Sequence, residues 1–176
     1  MPVEAGDIKV YLTGGAANTD PNESRGGVIS TTEVDLNTLL NNLWDNVSAA
    51  ENAGADFSEY RCVALLNDAA SGDFTTIKAY VATAINSDAV GLAWEDTIND
   101  SDVIAKTATE ETVPSGAGLG DFTDDPAAPG ILNNPRGSTV AIAPTEVTRL
   151  WFRRTHTSGS AAGTLQGLVT VTGETS

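Results

Sequence analysis

The first signal in the chain is an alternation of hydrophobic and polar positions. Ile8, Val10 and Leu12 fall on one side of an extended segment at residues 7–13, and two glycines then break the pattern. Alternation with a period of two is typical of a strand with one buried face. This segment is therefore predicted to be the first strand.

A second kind of strand pattern begins at Glu59. Residues 60–66 form a nearly continuous apolar run that stops at Asn67-Asp68, as expected for a strand that is buried on both faces. After a turn at residues 71–73, residues 74–84 are predicted to be its partner strand. Further strands are predicted at residues 90–95, 138–143, 147–154 and 165–171.

Strands at this spacing predict an all-β fold, namely an antiparallel β-sandwich or jelly roll. The 176 residues suffice for one well-formed core, whereas two separate domains would each be marginal. We therefore expect a single domain over residues 1–176, with an N-terminal arm at 1–6 and a long loop region at 96–136. An irregular stretch of that length usually has a role or a partner that orders it.

Residues 30–47 carry two conflicting signals. Four leucines follow helical spacing at positions 36, 39, 40 and 43, and Ser30-Thr31-Thr32-Glu33 has the form of a capping box. Four asparagines and several β-branched residues weaken the helix propensity, so that a strand within residues 40–47 is equally consistent. The sequence leaves open a short helix near residues 33–47 or a strand.

The charge balance narrows the function. The chain has 24 Asp and Glu against nine Lys and Arg, for a formal charge of −15, and the carboxylates are spread along its whole length. Such a protein repels phosphate and anionic headgroups, so binding to nucleic acid or to a membrane is not expected. Abundant Asp with only three Lys is typical of proteins from saline surroundings, where salt screens the self-repulsion. An ordinary acidic protein is the alternative.

Residues that could carry catalytic chemistry are few. Cys62 is the only cysteine, and its place inside the apolar run predicts a small buried thiol without a disulfide. His156, the only histidine, lies in a polar segment and is predicted to be an exposed turn residue. Neither has a sequence neighbour that would make it a nucleophile or a base. We expect no catalytic residues and no enzyme activity.

Clusters of aspartates are weak candidates for a calcium site, because Ca²⁺ prefers oxygen ligands. The candidates are Asp100, Asp102, Asp121, Asp124 and Asp125. Their spacing does not match the twelve-residue calcium-binding loop, so solvated carboxylates are the simpler interpretation. No cofactor is expected.

The segment at residues 149–154 is the one cluster of aromatic and basic residues. Its candidates for an interface are Arg149, Trp151, Arg153 and Arg154. Their guanidinium groups could pair with carboxylates of a neighbouring subunit or of the same domain. An ordinary strand with outward arginines is the alternative. The three tryptophans of the chain could instead stack on sugar rings, although two of them lie in runs predicted to be buried.

Five phrases of the chain resemble virion structural proteins of tailed bacteriophages and haloarchaeal tailed viruses. They are Asp7-Ile8-Lys9-Val10-Tyr11-Leu12-Thr13-Gly14-Gly15-Ala16-Ala17-Asn18-Thr19-Asp20-Pro21, Gly26-Gly27-Val28-Ile29-Ser30, Asn42-Leu43-Trp44-Asp45-Asn46-Val47-Ser48, Glu59-Tyr60-Arg61-Cys62-Val63 and Leu150-Trp151-Phe152-Arg153-Arg154-Thr155. The resemblance implies a β-sandwich building block of the particle, attached to the head, symmetric and without catalytic residues. It also favours a strand at residues 43–47.

The function expected from the sequence and this resemblance is that of a capsid decoration protein on the outer head surface of a tailed virus. Its expected partners are the major capsid protein and further copies of itself, with a trimer favoured. The alternative is a carbohydrate-binding or adhesion module of a tail or turret.

Overall fold

A computed structural model describes residues 3–34, 43–44, 47–83, 89–95, 98, 103–116, 118–124, 141–159 and 168–176. Its strands are β1 (Ile8–Thr13), β2 (Ile29–Glu33), β3 (Phe57–Asn67), β4 (Phe74–Thr83), β5 (Ala89–Glu95), β6 (Thr123–Asp124), β7 (Val147–His156) and β8 (Leu168–Thr175). Its helices are the 3-10 helices Ala5–Asp7 and Pro21–Glu23 and the short α1 (Ala49–Asn52). Within the described ranges no helix is long and apolar enough to cross a bilayer. The predicted all-β class is confirmed.

Six strands form one antiparallel sheet in the order β2-β1-β3-β7-β5-β6, which we call the central sheet. In its middle, β3 and β7 pair from Phe57 opposite His156 to Leu66 opposite Val147. β1 occupies the other edge of β3, and both faces of β3 are covered. For this reason the sequence of β3 is an apolar run, whereas β1, which lies between β3 and the edge strand β2, shows alternation.

Two further strands, β4 and β8, form a second antiparallel sheet. The prediction that residues 74–84 pair with the preceding strand is wrong, because both edges of β3 are already occupied by β1 and β7. The chain crosses to the second sheet instead. At this corner the side-chain amide of Asn67 donates to Gly72 O at 3.0 Å and to Ile142 O at 2.7 Å.

The two sheets enclose the larger hydrophobic core. Its buried side chains are Val63, Leu65, Phe74, Ile77, Ala79, Val90, Leu92, Trp94, Ile142, Leu150 and Phe152. Ile8 and Val10 pack against this core, and Leu12 is buried, so the apolar face predicted for β1 is confirmed. Each large apolar side chain that is buried contributes about 1.5–3 kcal/mol of stability.

The predicted capping box at residues 30–33 does not begin a helix. These residues lie in β2, and the Ser30 hydroxyl donates to Asn18 O at 2.5 Å. A capping box forms instead at Ser48, whose hydroxyl accepts from Glu51 N at 3.2 Å while the Glu51 carboxylate accepts from Ser48 N at 2.7 Å. This second box begins α1.

Three predicted elements are described only in part. In the segment at 33–47, residues 35–42 and 45–46 lie outside the described residues, and Leu43-Trp44 form a bend. The predicted strand at 138–143 is described from residue 141 onward, where Ile142 makes an isolated bridge to Phe74. The predicted last strand is described from Leu168 onward as β8.

The N-terminal arm predicted at residues 1–6 is packed against the domain in its described part. Val3 is buried, and a 3-10 helix follows at Ala5–Asp7. Glu4 N donates to Asp7 Oδ2 at 2.8 Å. This segment is therefore a folded turn from Val3 onward.

Candidate functional site: two buried polar clusters on the central sheet

One face of the central sheet points away from the second sheet, and irregular chain covers it. The buried cluster on this face consists of Tyr60, Cys62, Ala93, Ile104 and Trp151. This face is covered by a turn at residues 24–27 and by a longer irregular segment. We call the longer segment, residues 103–116 and 118–122, the strap. The strap belongs to the long loop region predicted at 96–136.

Backbone hydrogen bonds join this cover to β3 where β1 ends. β1 pairs with β3 as far as Leu12 opposite Val63. Beyond that point, Cys62 N donates to Ser24 O at 2.7 Å and Tyr60 N donates to Glu110 O at 2.8 Å. The irregular segments thus satisfy backbone groups of β3 that a strand would otherwise satisfy.

The carboxylate of Glu95, at the end of β5, ties the strap to the sheet. One oxygen accepts from Trp151 Nε1 at 2.7 Å and the other accepts from Ile104 N at 2.8 Å. Glu95 is fully buried, and so is Arg149, its neighbour across the β5–β7 pair. Arg149 Nε donates to Gly27 O at 3.3 Å. Opposite charges therefore lie on adjacent strands beneath the cover, each bonded to a different part of it.

Gly26 brings the turn into contact with the Trp151 ring. Its φ is +87°, and a Cβ at this position would lie 2.6 Å from the ring. Gly26 N also donates to Thr13 Oγ1 at 3.0 Å, which ties the turn to β1. Glycine is required here because both the backbone conformation and the close approach exclude a side chain.

Cys62 lies at the centre of a hydrogen-bonded network beneath the turn. The Ser24 hydroxyl donates to Cys62 O at 2.5 Å, and Thr13 Oγ1 donates to the same oxygen at 3.1 Å. Burial raises the pKa of the Cys62 thiol well above its ordinary value, and the negative charge of Glu95 raises it further. The predicted small, buried thiol is confirmed, and the raised pKa keeps it in the unreactive form.

A second polar cluster lies on the other face of the central sheet, toward the Phe57 end of β3. We call it the arginine cluster, and it consists of Trp44, Glu59, Arg61, Glu110 and Arg154. Arg154 pairs with Glu59, and Arg61 pairs with Glu110 at 2.5 Å. The Trp44 ring centroid lies 5.1 Å from Arg61 Cζ and 5.2 Å from Arg154 Cζ. Cation–π contacts therefore hold Trp44 on two buried guanidinium groups.

The electrostatics of the arginine cluster are dominated by burial. Burial raises the pKa of Glu59 above its ordinary value of 4.5. The positive charge of Arg154 opposes this effect, and the negative charge of Glu110 adds to it. Arg154 thus offsets only part of the effect of lost hydration on the Glu59 carboxyl.

His156 is not the exposed turn residue predicted from the sequence. β7 runs two residues beyond its predicted end, and this extension pairs His156 with Phe57. The imidazole is buried, its Nε2 lies 3.2 Å from Asn52 Oδ1, and its ring centroid lies 5.1 Å from that of Phe57. The prediction failed because local sequence does not show how far a partner strand extends.

Three of the four interface candidates are buried. Arg149, Trp151 and Arg154 have almost no exposed surface, and the arginines lie against carboxylates or backbone of the same domain. Their side chains are therefore not outward, contrary to the alternative of an ordinary strand with exposed arginines. Arg153 is partly exposed, and its Cζ lies 5.2 Å from the Phe122 ring centroid. Of the four, it alone offers surface to a partner.

Of the five aspartates singled out as calcium candidates, the structure describes two. Asp121 is exposed and Asp124 lies in β6, while Asp100, Asp102 and Asp125 lie outside the described residues. Within the described ranges, no three His, Cys, Asp or Glu residues are grouped so as to hold a metal ion.

The sequence did not single out the carboxylates that organise both clusters. Glu59 and Glu95 are buried at the ends of apolar runs, and Glu110 comes from the strap. The available signal was that β7 carries arginines inside a run of buried residues. Buried arginines need anionic partners, and the adjacent strands each offer a glutamate at the matching register.

Comparison with protein-family models, with curated protein sequences and with solved structures gave no match. Described parts of the five phrases singled out in the sequence lie together in the fold. Gly26, Cys62 and Trp151 come from three different phrases and meet beneath the turn. Trp44 and Arg154 come from two phrases and meet in the arginine cluster.

Proposed function

We propose that the protein is a non-enzymatic structural component of a virus particle, a capsid decoration protein that binds the outer head surface of a tailed virus. In this proposal several copies assemble symmetrically, as a trimer, on the major capsid protein. Many weak contacts of a symmetric assembly then combine into stable attachment.

The observation that carries this proposal is where the resembling phrases lie. They meet in the interior, at Gly26 against Trp151 and at Trp44 against Arg154. What resembles the virion proteins therefore includes internal packing contacts of a β-sandwich. A resemblance in internal residues supports the proposal that this chain and the virion proteins share a building block. It does not imply a ligand-binding site.

The use of the reactive side chains supports the same role. Cys62 is sealed beneath the turn, His156 is packed between Asn52 and Phe57, and Glu59 is paired with Arg154. Catalysis needs such groups at a site that substrate can reach. Here they support the fold.

The distribution of charge supports a saline setting. Of the nine Lys and Arg in the chain, Arg61, Arg149 and Arg154 are buried, so that at most six remain to balance carboxylates on the surface. Copies placed side by side on a shell repel one another unless salt screens their charge. We therefore expect the assembly on the particle to require high ionic strength.

The test is to purify virions from the host lysate and to measure the ratio of this chain to the major capsid protein by quantitative mass spectrometry. A decoration role predicts a fixed ratio, with copies on the order of hundreds per particle. Washing the particles in low salt should release the chain while the major capsid protein stays assembled.

Two results would contradict the proposal. A handful of copies per particle would move the protein to the portal, neck or tail. Complete absence from purified virions would exclude a virion role and would favour the adhesion module. In that case, a shift of tryptophan emission on adding glycans should involve Trp44, because Trp94 and Trp151 are buried.

A further inference from the structure

We propose that the strap and the turn at residues 24–27 open away from the central sheet as a unit while the two-sheet sandwich stays folded. Hydrogen bonds join these two segments, because Gly27 N donates to Ile104 O at 2.8 Å and Thr107 N donates to Arg25 O at 3.0 Å. The inference concerns the two covers of the central sheet, which differ in how they are held. It goes beyond the proposed role in the virion and does not depend on it.

The strap buries less apolar surface than the second sheet. Ile104 is its one fully buried member of the cluster, at 5% exposed, Leu119 and Phe122 pack against the cluster while partly exposed, and Val113 is 63% exposed. The second sheet, in contrast, contributes Phe74, Ile77 and Ala79 to the larger core. Regions with few buried apolar contacts open at lower free energy than the core. The strap is thus the cover that separates first.

Polar bonds provide most of the described attachment of the strap. Ile104 N donates to Glu95, Tyr60 N donates to Glu110 O, and Gly120 N donates to Trp94 O at 3.0 Å. Water can replace each of these bonds when the strap lifts, so their net contribution is small compared with that of a packed core. Opening also separates Glu110 of the strap from the buried Arg61. None of these contacts lies between the two sheets, so opening leaves the larger core intact.

Opening uncovers Trp151 and Cys62 in the middle of the central sheet. The closed molecule shields both side chains completely, and the open form presents an aromatic surface flanked by Arg149. Because Cys62 is the only cysteine in the chain, its thiol reports this event without background from other residues.

The experiment is native-state labelling of Cys62 with a thiol reagent at increasing urea concentrations below the unfolding transition. Global unfolding is followed in parallel by far-UV circular dichroism. We expect labelling in the absence of urea to be faster than global unfolding allows, and to depend only weakly on urea, since local opening exposes little surface.

Two isoleucines provide a matched pair of variants. Ile104→Ala removes the apolar anchor of the strap, and Ile77→Ala makes the same deletion at a similarly buried position, 6% exposed, in the second sheet. Ile104→Ala should accelerate Cys62 labelling in the absence of urea by about tenfold or more. Ile77→Ala should leave that rate unchanged within about twofold, although it lowers the urea midpoint of unfolding.

The proposal is overturned if Cys62 is labelled only with the urea dependence of global unfolding. It is also overturned if both variants accelerate labelling in proportion to their loss of global stability. Ile104→Val replaces Ile104→Ala if the larger deletion prevents folding, and the same ordering against Ile77→Val is then expected.

Discussion

The two faces of the central sheet are closed in different ways. On one face the second sheet adds regularly spaced apolar residues, and the result is the larger hydrophobic core. On the other face the turn and the strap cover a smaller cluster, and Glu95, Arg149, Thr13 and Ser24 are buried alongside it. The face without a covering strand therefore buries polar groups next to its apolar cluster. The buried charges of the other face, those of the arginine cluster, lie toward the Phe57 end of β3.

The difference shows what an irregular cover requires. A paired strand satisfies its own backbone groups along a regular ladder, whereas an irregular segment needs a partner for each group at its particular position. Glu95 for Ile104 N, and Arg149 for Gly27 O, are such partners. Buried charge on this face is thus a consequence of covering a sheet with loops.

Glu95→Gln should have the largest effect on this face. The amide carries no charge opposite Arg149. Trp151 Nε1 and Ile104 N donate to different carboxylate oxygens, so the NH2 group that replaces one oxygen faces another donor. We expect a loss of about 3–5 kcal/mol in the free energy of unfolding, measured by urea denaturation. Glu33→Gln is the control, because Glu33 is exposed and its loss should stay below about 0.5 kcal/mol. Equal losses would show that Glu95 does not hold the cover.

Gly26→Ala should have the next largest effect. The added methyl group overlaps the Trp151 ring, and the native φ is strained for alanine. We expect a combined loss of about 3 kcal/mol in the free energy of unfolding. Gly15→Ala separates the two causes, since Gly15 has a φ of +117° but nothing within 4 Å of its Cβ position. It should lose only about 1 kcal/mol. A similar loss in both variants would mean that overlap with the Trp151 ring adds nothing to the destabilisation of Gly26→Ala.

Thr145→Gly should stabilise the corner on the side of the second sheet by about 0.5–1 kcal/mol. Thr145 has a φ of +71° and follows Pro144 in a turn closed by Glu146 N donating to Ala143 O at 2.9 Å. This is the turn position that glycine prefers. Thermal unfolding measures the gain. Thr31→Gly, in the regular strand β2, should instead destabilise, and a loss in both would refute backbone strain at Thr145.

The smallest effect concerns the pH dependence of the arginine cluster. Because the folded-state pKa of Glu59 is raised, its contribution to stability is fully present below the ordinary value of 4.5 and is lost as pH rises through the folded-state pKa. The difference in unfolding free energy between the native protein and Glu59→Gln should therefore shift against the native protein as pH increases across that window.

The measurement for Glu59 is a series of urea denaturations of both proteins from acidic to neutral pH. Glu23, Glu51 and Asp56 have lowered pKa values and act in the opposite direction. They are present in both proteins, so their contributions cancel in the difference. A difference that does not vary with pH would contradict the raised pKa of Glu59.

Sequence patterns predicted the strands whose signal is local. The alternation in β1 and the apolar runs of β3, β5 and β7 follow directly from which faces are buried. Pairing was not predictable in the same way, because β4 joins β8 rather than its neighbour in sequence. The site residues depend on pairing, and for this reason the burial of His156 and the partners of Arg149 and Arg154 were not foreseen.

The pairing of β3 with β7 also has a kinetic consequence. Cys62 lies opposite Trp151, and Phe74 lies opposite Thr175 in the second sheet, so both sheets join segments that are far apart along the chain. Such pairings require closure of long loops before any contact can form, and this slows folding to about milliseconds or seconds. During synthesis, β3 must wait for β7 to emerge from the ribosome, with a hydrophobic edge open to other chains. We therefore expect chaperones to bind the nascent chain at this stage, before β7 has been synthesised.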